Sequence, residues 1–144
     1  MVILGTATTF GRILTLERIP TMIADFFESV AKGPIMLMIL INILLLIVGC
    51  FMETNAAIII LAPIFLPIVE SMGINPVHFG IVMVVNLAIG FVTPPMGANL
   101  FVASNLSKVS VFDIARKAVP FILAFLIALL LITFVPQISM FLLQ

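Results

Sequence analysis

The residues of this chain that could do chemistry gather in two places. The first is "GCFMETN", residues 49–55, where Glu53 stands between two long apolar runs and is followed by Thr54 and Asn55. The second is "GFVTPPMGANL", residues 90–100. It sets Gly90, Thr93, Pro94, Pro95, Gly97 and Asn99 inside a 29-residue stretch, Phe79 to Ser107, that carries no charge. Glycine and proline break a helix and free its carbonyls and amides, and inside a membrane those groups need partners. Carbonyl oxygens at the end of a half-helix, joined by a threonine hydroxyl or an asparagine amide, form a hard-oxygen cage suited to Na⁺. The opposing half-helix N-termini, at the turn and beyond the break, are expected to offer amides and positive dipole ends to a carboxylate. The residues expected at a Na⁺ site are therefore Gly49, Thr54, Asn55, Gly90 and Thr93. Those expected in the substrate region are Asn55, Thr93, Pro94, Pro95, Gly97 and Asn99. If the turn folds against the break, the side chains of Asn55 and Thr93 converge.

Glu53 is a functional candidate because an acid inside a membrane segment is costly. It can be read as a cation ligand, a proton carrier or an anchor of the turn, or as a residue that reaches the surface or pairs with a basic group on another part of the protein. Asn86 and Asn99 flank the break, and each either lines the site or bonds to a neighbouring helix; Asn42 is expected to do the latter. His78 is expected to be solvated at a helix start. Cys50 is alone, so no internal disulfide forms and no Cys-based metal site is suggested. No Ser/His/Asp set, HExxH, paired acids or phosphate loop is present, and no basic patch for nucleic acid. A non-enzyme is expected, with Na⁺ as coupling ion and no organic cofactor.

Composition says what must position these groups. The 144 residues are 64% hydrophobic and 8% charged, against about 25% charged in an ordinary soluble domain. Mean hydropathy is +1.44. A water-soluble core would leave much of this apolar surface exposed, so an all-α integral membrane protein follows. Residues 1–16 read as the tail of a transmembrane helix, too short to cross alone. Residues 17–33 have apolar positions at Ile19, Met22, Ile23, Phe26, Phe27 and Val30 with charges between them, which predicts an interfacial amphipathic helix. Residues 34–71 form two apolar blocks separated by Glu53, with too few polar residues for an aqueous loop. A re-entrant helical hairpin with its tip at depth fits them. Residues 76–106 read as an interrupted, discontinuous transmembrane helix; as one straight helix the uncharged stretch would be roughly 43 Å long, against an apolar core of about 30 Å. Residues 107–118 form a connection and 119–144 a C-terminal transmembrane helix. The slight excess of basic residues at 104–118 places that connection on the cytoplasmic side.

On these residues the chain resembles a known family. "GCFMETNAAIIILAPIFLPIVESMGINPVHFGIVMVVNLAIGFVTPPMGANLFVAS" is similar to the C-terminal part of the large membrane (permease) subunit of tripartite ATP-independent periplasmic (TRAP) transporters. "FGRILTLERIP" and "PFILAFLIALLLITFVPQ" resemble the same subunit. The resemblance implies an ion-transporter-superfamily fold, with inverted repeats, a hairpin and a broken helix in each, and elevator-type motion. It implies Na⁺-coupled import of organic acids, C4-dicarboxylates or sialic acid, across the bacterial inner membrane. It implies three partners besides the lipid bilayer: a small membrane subunit, a periplasmic substrate-binding protein and the organic acid itself. Residues 34–71 would be the second hairpin, and 49–55 with 90–97 the second Na⁺ region. The family's subunit is several hundred residues long, so the chain is expected to be a fragment that does not transport alone. The competing readings are a carboxylate symporter of the same superfamily that works without a binding protein, and a structural membrane subunit with no ion site.

Overall fold

The computed structural model describes residues 5–6, 9, 12–13, 16–30, 33–94 and 97–141. Most of the helix expected at 1–16, Pro95 of the expected substrate region, and residues 142–144 of the last expected helix lie outside the described residues. Seven helices make up the described fold: α1 (Ile19–Val30), α2 (Pro34–Phe51), α3 (Thr54–Ser71), α4 (Pro76–Gly90), α5 (Ala98–Ser107), α6 (Val111–Phe134) and α7 (Pro136–Met140). The chain is an all-α membrane protein. Helices α2, α3 and α6 are each long and apolar enough to cross a membrane.

Local chemistry sets the helix boundaries. Pro34, Pro76 and Pro136 open their helices, where a missing N–H costs nothing. Asn75 Oδ1 caps α4 by accepting from the amides of Val77 and His78, and Ser110 Oγ caps α6 by accepting from that of Asp113. Pro63 and Pro67 lie inside α3, which nonetheless runs unbroken to Ser71. Hydropathy set the start of the last helix at residue 119, but the Ser110 cap starts it at Val111 with Asp113 in the first turn. It ends at Phe134, and Pro136 begins the short α7.

Helix α4 is the centre of the bundle. It packs most extensively on α2 and also meets α3, α6 and α7, while α1 lies on α3 and α5 on α6. Phe27, Phe65 and Phe79 link α1, α3 and α4 through edge-on ring contacts at 5.8 and 6.5 Å. Of the apolar face expected on α1, Phe27 is buried and Ile23 packs on the core, while Met22, Phe26 and Val30 remain exposed.

Candidate functional site at the hairpin turn and the helix break

Helices α2 and α3 form a hairpin whose turn is Met52 and Glu53. Beside it, α4 stops at Gly90, residues 91–97 are non-helical where described, and α5 resumes at Ala98. Turn and break meet through two glycines. A Cβ on Gly90 would lie 2.6 Å from the Gly49 Cα and carbonyl carbon and 2.9 Å from the Cys50 nitrogen. A Cβ on Gly49 would lie 3.0 Å from the Leu87 oxygen. Within lipid, helices associate by close packing rather than by exclusion from water, and small residues permit that approach. Gly49 and Gly90, selected from sequence for their carbonyls, are thus also the contact that seats the hairpin on the break. Next to them the Cys50 thiol points at the Pro94 carbonyl, at 3.9 Å.

The break satisfies much of its own backbone. The Thr93 hydroxyl donates to the Ile89 carbonyl at 2.6 Å, and the Thr93 amide donates to the Gly90 carbonyl. The Gly97 amide returns to the Thr93 carbonyl, and the Asn99 amide to that of Phe91. Gly97 is buried in this fold-back, where a Cβ would come 2.9 Å from the Thr93 oxygen. Thr93 and Gly97 therefore shape the break, and the Thr93 hydroxyl keeps lone pairs free to accept or to ligate.

At the turn, Glu53 is exposed and caps α3. Its Oε1 accepts from the backbone and side-chain amides of Asn55, and its Oε2 from the amide of Ala56. Of the roles left open for Glu53, the structure supports the anchor at the turn. One expectation changes. The α3 N-terminus was to offer its amides to a substrate carboxylate, but Glu53 already holds two of them. The side-chain donors of Asn55 and Thr93 are engaged locally, by Glu53 and by the Ile89 carbonyl. Asn99 is exposed.

Between turn and break lies a cavity of about 380 Å³, lined by Cys50, Phe51, Met52 and Glu53 on one side and Phe91, Ala98 and Phe101 on the other. Its phenylalanines were not selected from sequence. Their flanking of the turn and the break is the one signal that could have marked them.

A second polar group lies in the core. Asn86 Nδ2 donates to Asn42 Oδ1, Asn42 Nδ2 to the Thr133 hydroxyl at 3.2 Å, and that hydroxyl to the Leu129 carbonyl at 2.7 Å. Asn42 and Asn86 thus both serve helix pairing, tying α2, α4 and α6 together; Asn86 Oδ1 is buried with no partner among the described residues. His78 departs from its expected solvated position. It is 3% exposed, with Nε2 at 3.3 Å from the Thr133 carbonyl and Nδ1 at 3.0 Å from the Ser139 hydroxyl. A carbonyl only accepts, so Nε2 carries the proton and Nδ1 accepts from Ser139 in the neutral ring. Its burial follows from α7, which sequence periodicity did not reveal and which brings Ser139 back onto α4. No group of three or more metal-binding side chains occurs among the described residues.

Comparison with known proteins agrees with the resemblance. Residues 1–138 match the family described as "Tripartite ATP-independent periplasmic transporter, DctM component". The chain is 51% identical over 141 residues to an isethionate TRAP transporter permease protein of Oleidesulfovibrio alaskensis, covering 98% of this chain and 22% of the relative. It is 44% identical over 140 residues to a C4-dicarboxylate TRAP transporter large permease protein of Pseudomonas aeruginosa, covering 97% and 33%. It is 38% identical over 135 residues to a sialic acid TRAP transporter large permease protein of Vibrio cholerae, covering 94% and 32%. The chain thus spans about a fifth to a third of the length of these relatives.

Proposed function

The chain belongs to the DctM component family of tripartite ATP-independent periplasmic transporters, an inner-membrane permease family, and on that premise we propose that it supplies the C-terminal half-site of a Na⁺-coupled organic-acid symporter. The observation that carries this reading is the Gly49–Gly90 contact, which seats a helical turn against a helix break. Two interrupted elements meeting at one point are the arrangement in which carriers hold coupling ions and substrate.

In this reading the α2–α3 hairpin is re-entrant. Helices α4 and α5 with the break between them span residues 76–107, and the break lies near the middle of that path. The turn packs against the break, so it shares its depth. Carbonyls of the turn and the break, with the Thr93 hydroxyl and the Asn55 side-chain oxygen, take the Na⁺ ion. The organic acid enters the cavity between turn and break, where α5 begins at Ala98 and presents the positive end of its dipole. Among the described residues no lysine or arginine lines that cavity, so recognition of the carboxylate falls to backbone dipoles and to the remainder of the full-length subunit. A periplasmic binding protein delivers the acid, and a small membrane subunit braces the large one. The relatives named for isethionate, C4-dicarboxylates and sialic acid support an organic anion as the substrate class.

The test is uptake of radiolabelled organic acids into proteoliposomes. The sample is the complete large subunit containing this sequence, with its small subunit and binding protein. Uptake that requires both an inward Na⁺ gradient and the binding protein is expected. Na⁺-driven uptake without the binding protein would reassign the chain to a binding-protein-independent carrier. No uptake of any acid by folded protein would contradict the proposal.

A further inference from the structure

Glu53 has one feature that capping does not explain. A helix N-cap is ordinarily a short side chain such as serine, threonine, asparagine or aspartate. Here a glutamate takes the position, and it lies on the wall of the cavity between turn and break. The other lining residues, Cys50, Phe51, Met52, Phe91, Ala98 and Phe101, carry no charge. No ion pair is recorded for Glu53 among the described residues. Its carboxylate accepts three N–H groups, all from Asn55 and Ala56 at the start of α3, which fix its position in the turn. Those bonds leave acceptor capacity unused, since a carboxylate has about four lone-pair sites.

Two consequences follow from this placement. The α3 amides that would attract an anion are engaged by a carboxylate of the protein itself. The cavity also has a fixed negative charge on an otherwise apolar wall, where low-dielectric surroundings lengthen the reach of its field. An organic anion entering alone meets repulsion, and a cation bound beside Glu53 removes it.

We propose that Glu53 is a specificity-determining residue of this cavity: its carboxylate makes the cavity cation-attracting, so that an organic anion is admitted together with a cation and poorly without one. The link to substrate rests on the function proposed above. The field inside the cavity does not, and it can be read separately.

Cys50 lines the same cavity and reports that field. In the complete transporter, with Cys50 as the sole reactive thiol, its modification rate is measured with a cationic and an anionic methanethiosulfonate, the trimethylammonium-ethyl and sulfonatoethyl reagents. The cationic reagent is expected to react faster once rates are normalised to a small thiol. Glu53→Gln keeps an acceptor for the cap and removes the charge. It should lower the cationic-to-anionic ratio on the order of fivefold, as expected for a unit charge several ångströms away across partly aqueous surroundings. Glu53→Asp keeps both charge and cap and should retain most of the native ratio. The native protein provides a check that needs no variant: raising salt to about 1 M, where the screening length is near 3 Å, should collapse the ratio. A ratio unchanged by Glu53→Gln, or indifferent to salt, would overturn the proposal. In uptake, Glu53→Gln should lower KM for the organic anion at limiting Na⁺ and leave KM at saturating Na⁺ little changed. An equal change at both would reduce Glu53 to a structural cap. Absence of uptake in the native transporter would count against the proposed function, while the thiol ratio would still decide the role of Glu53.

Discussion

Gly90 is the residue on which the site depends most. A methyl group there has no space, because the atoms it would meet are backbone atoms of Gly49 and Cys50 that cannot rotate away. Gly90→Ala should therefore destabilise the bundle by about 1–3 kcal/mol, the usual cost of overpacking, and separate turn from break. Gly80 is the matched control: it lies within α4 and a Cβ there meets nothing within 4 Å. Gly80→Ala should be neutral or stabilising by up to about 1 kcal/mol, since alanine is the better helix former. Thermal unfolding in detergent compares the two, and equal destabilisation would refute the close-approach account. The buried amides give a second residue-scale prediction. Asn42→Leu leaves Asn86 Nδ2 without its acceptor and should cost about 1–3 kcal/mol. Adding Asn86→Leu should then cost less than the sum of the single changes, because both polar partners are gone. Additive losses would mean that the amides are not energetically coupled. At this scale the sequence showed which residues were unusual but not what each one touches. Asn86 could have faced the site or a neighbouring helix, and only the packing of α2 on α4 decides it. His78 reads as interfacial from its position beside Pro76, and nothing near it in sequence announces Ser139, which lies 61 residues away.

Among the elements, the segments expected at 34–71 and 76–106 begin at Pro34 and Pro76, and the structure starts a helix at each proline. Asn75→Ala should cost about 1 kcal/mol through loss of its bonds to the Val77 and His78 amides, measured in the same unfolding assay. An unchanged midpoint would show that the cap is dispensable once α4 is packed. The helix boundary read from hydropathy was less faithful. Averaging hydrophobicity set the charged segment at 107–118 apart from the final span, whereas the Ser110 cap makes residues 111–118 the first turns of α6. Charged residues are compatible with a membrane helix when they occupy the end that reaches the headgroups. The interruption between α4 and α5 was legible because two glycines and two prolines cluster within residues 90–97, whereas the separate Pro63 and Pro67 leave α3 unbroken. The fold-back of Gly97 onto Thr93 was not, because it depends on backbone bonds that no side chain advertises.

At the scale of the whole molecule, membrane residence follows from composition and from three helices long and apolar enough to span. The chain spans 22–33% of the length of the relatives compared. What this portion contributes is a turn held against a break, with a cavity and one fixed charge between them. The most direct test of that assignment is the Na⁺ dependence of organic-acid uptake by the complete transporter carrying Thr93→Val. Valine keeps the shape of threonine and removes the hydroxyl that stands in the break. The account predicts intact expression and a half-saturating Na⁺ concentration raised about tenfold, the effect of losing about 1.4 kcal/mol of ion binding. Unchanged Na⁺ dependence in Thr93→Val and in Asn55→Leu, with uptake intact, would contradict the placement of the ion at the turn and the break.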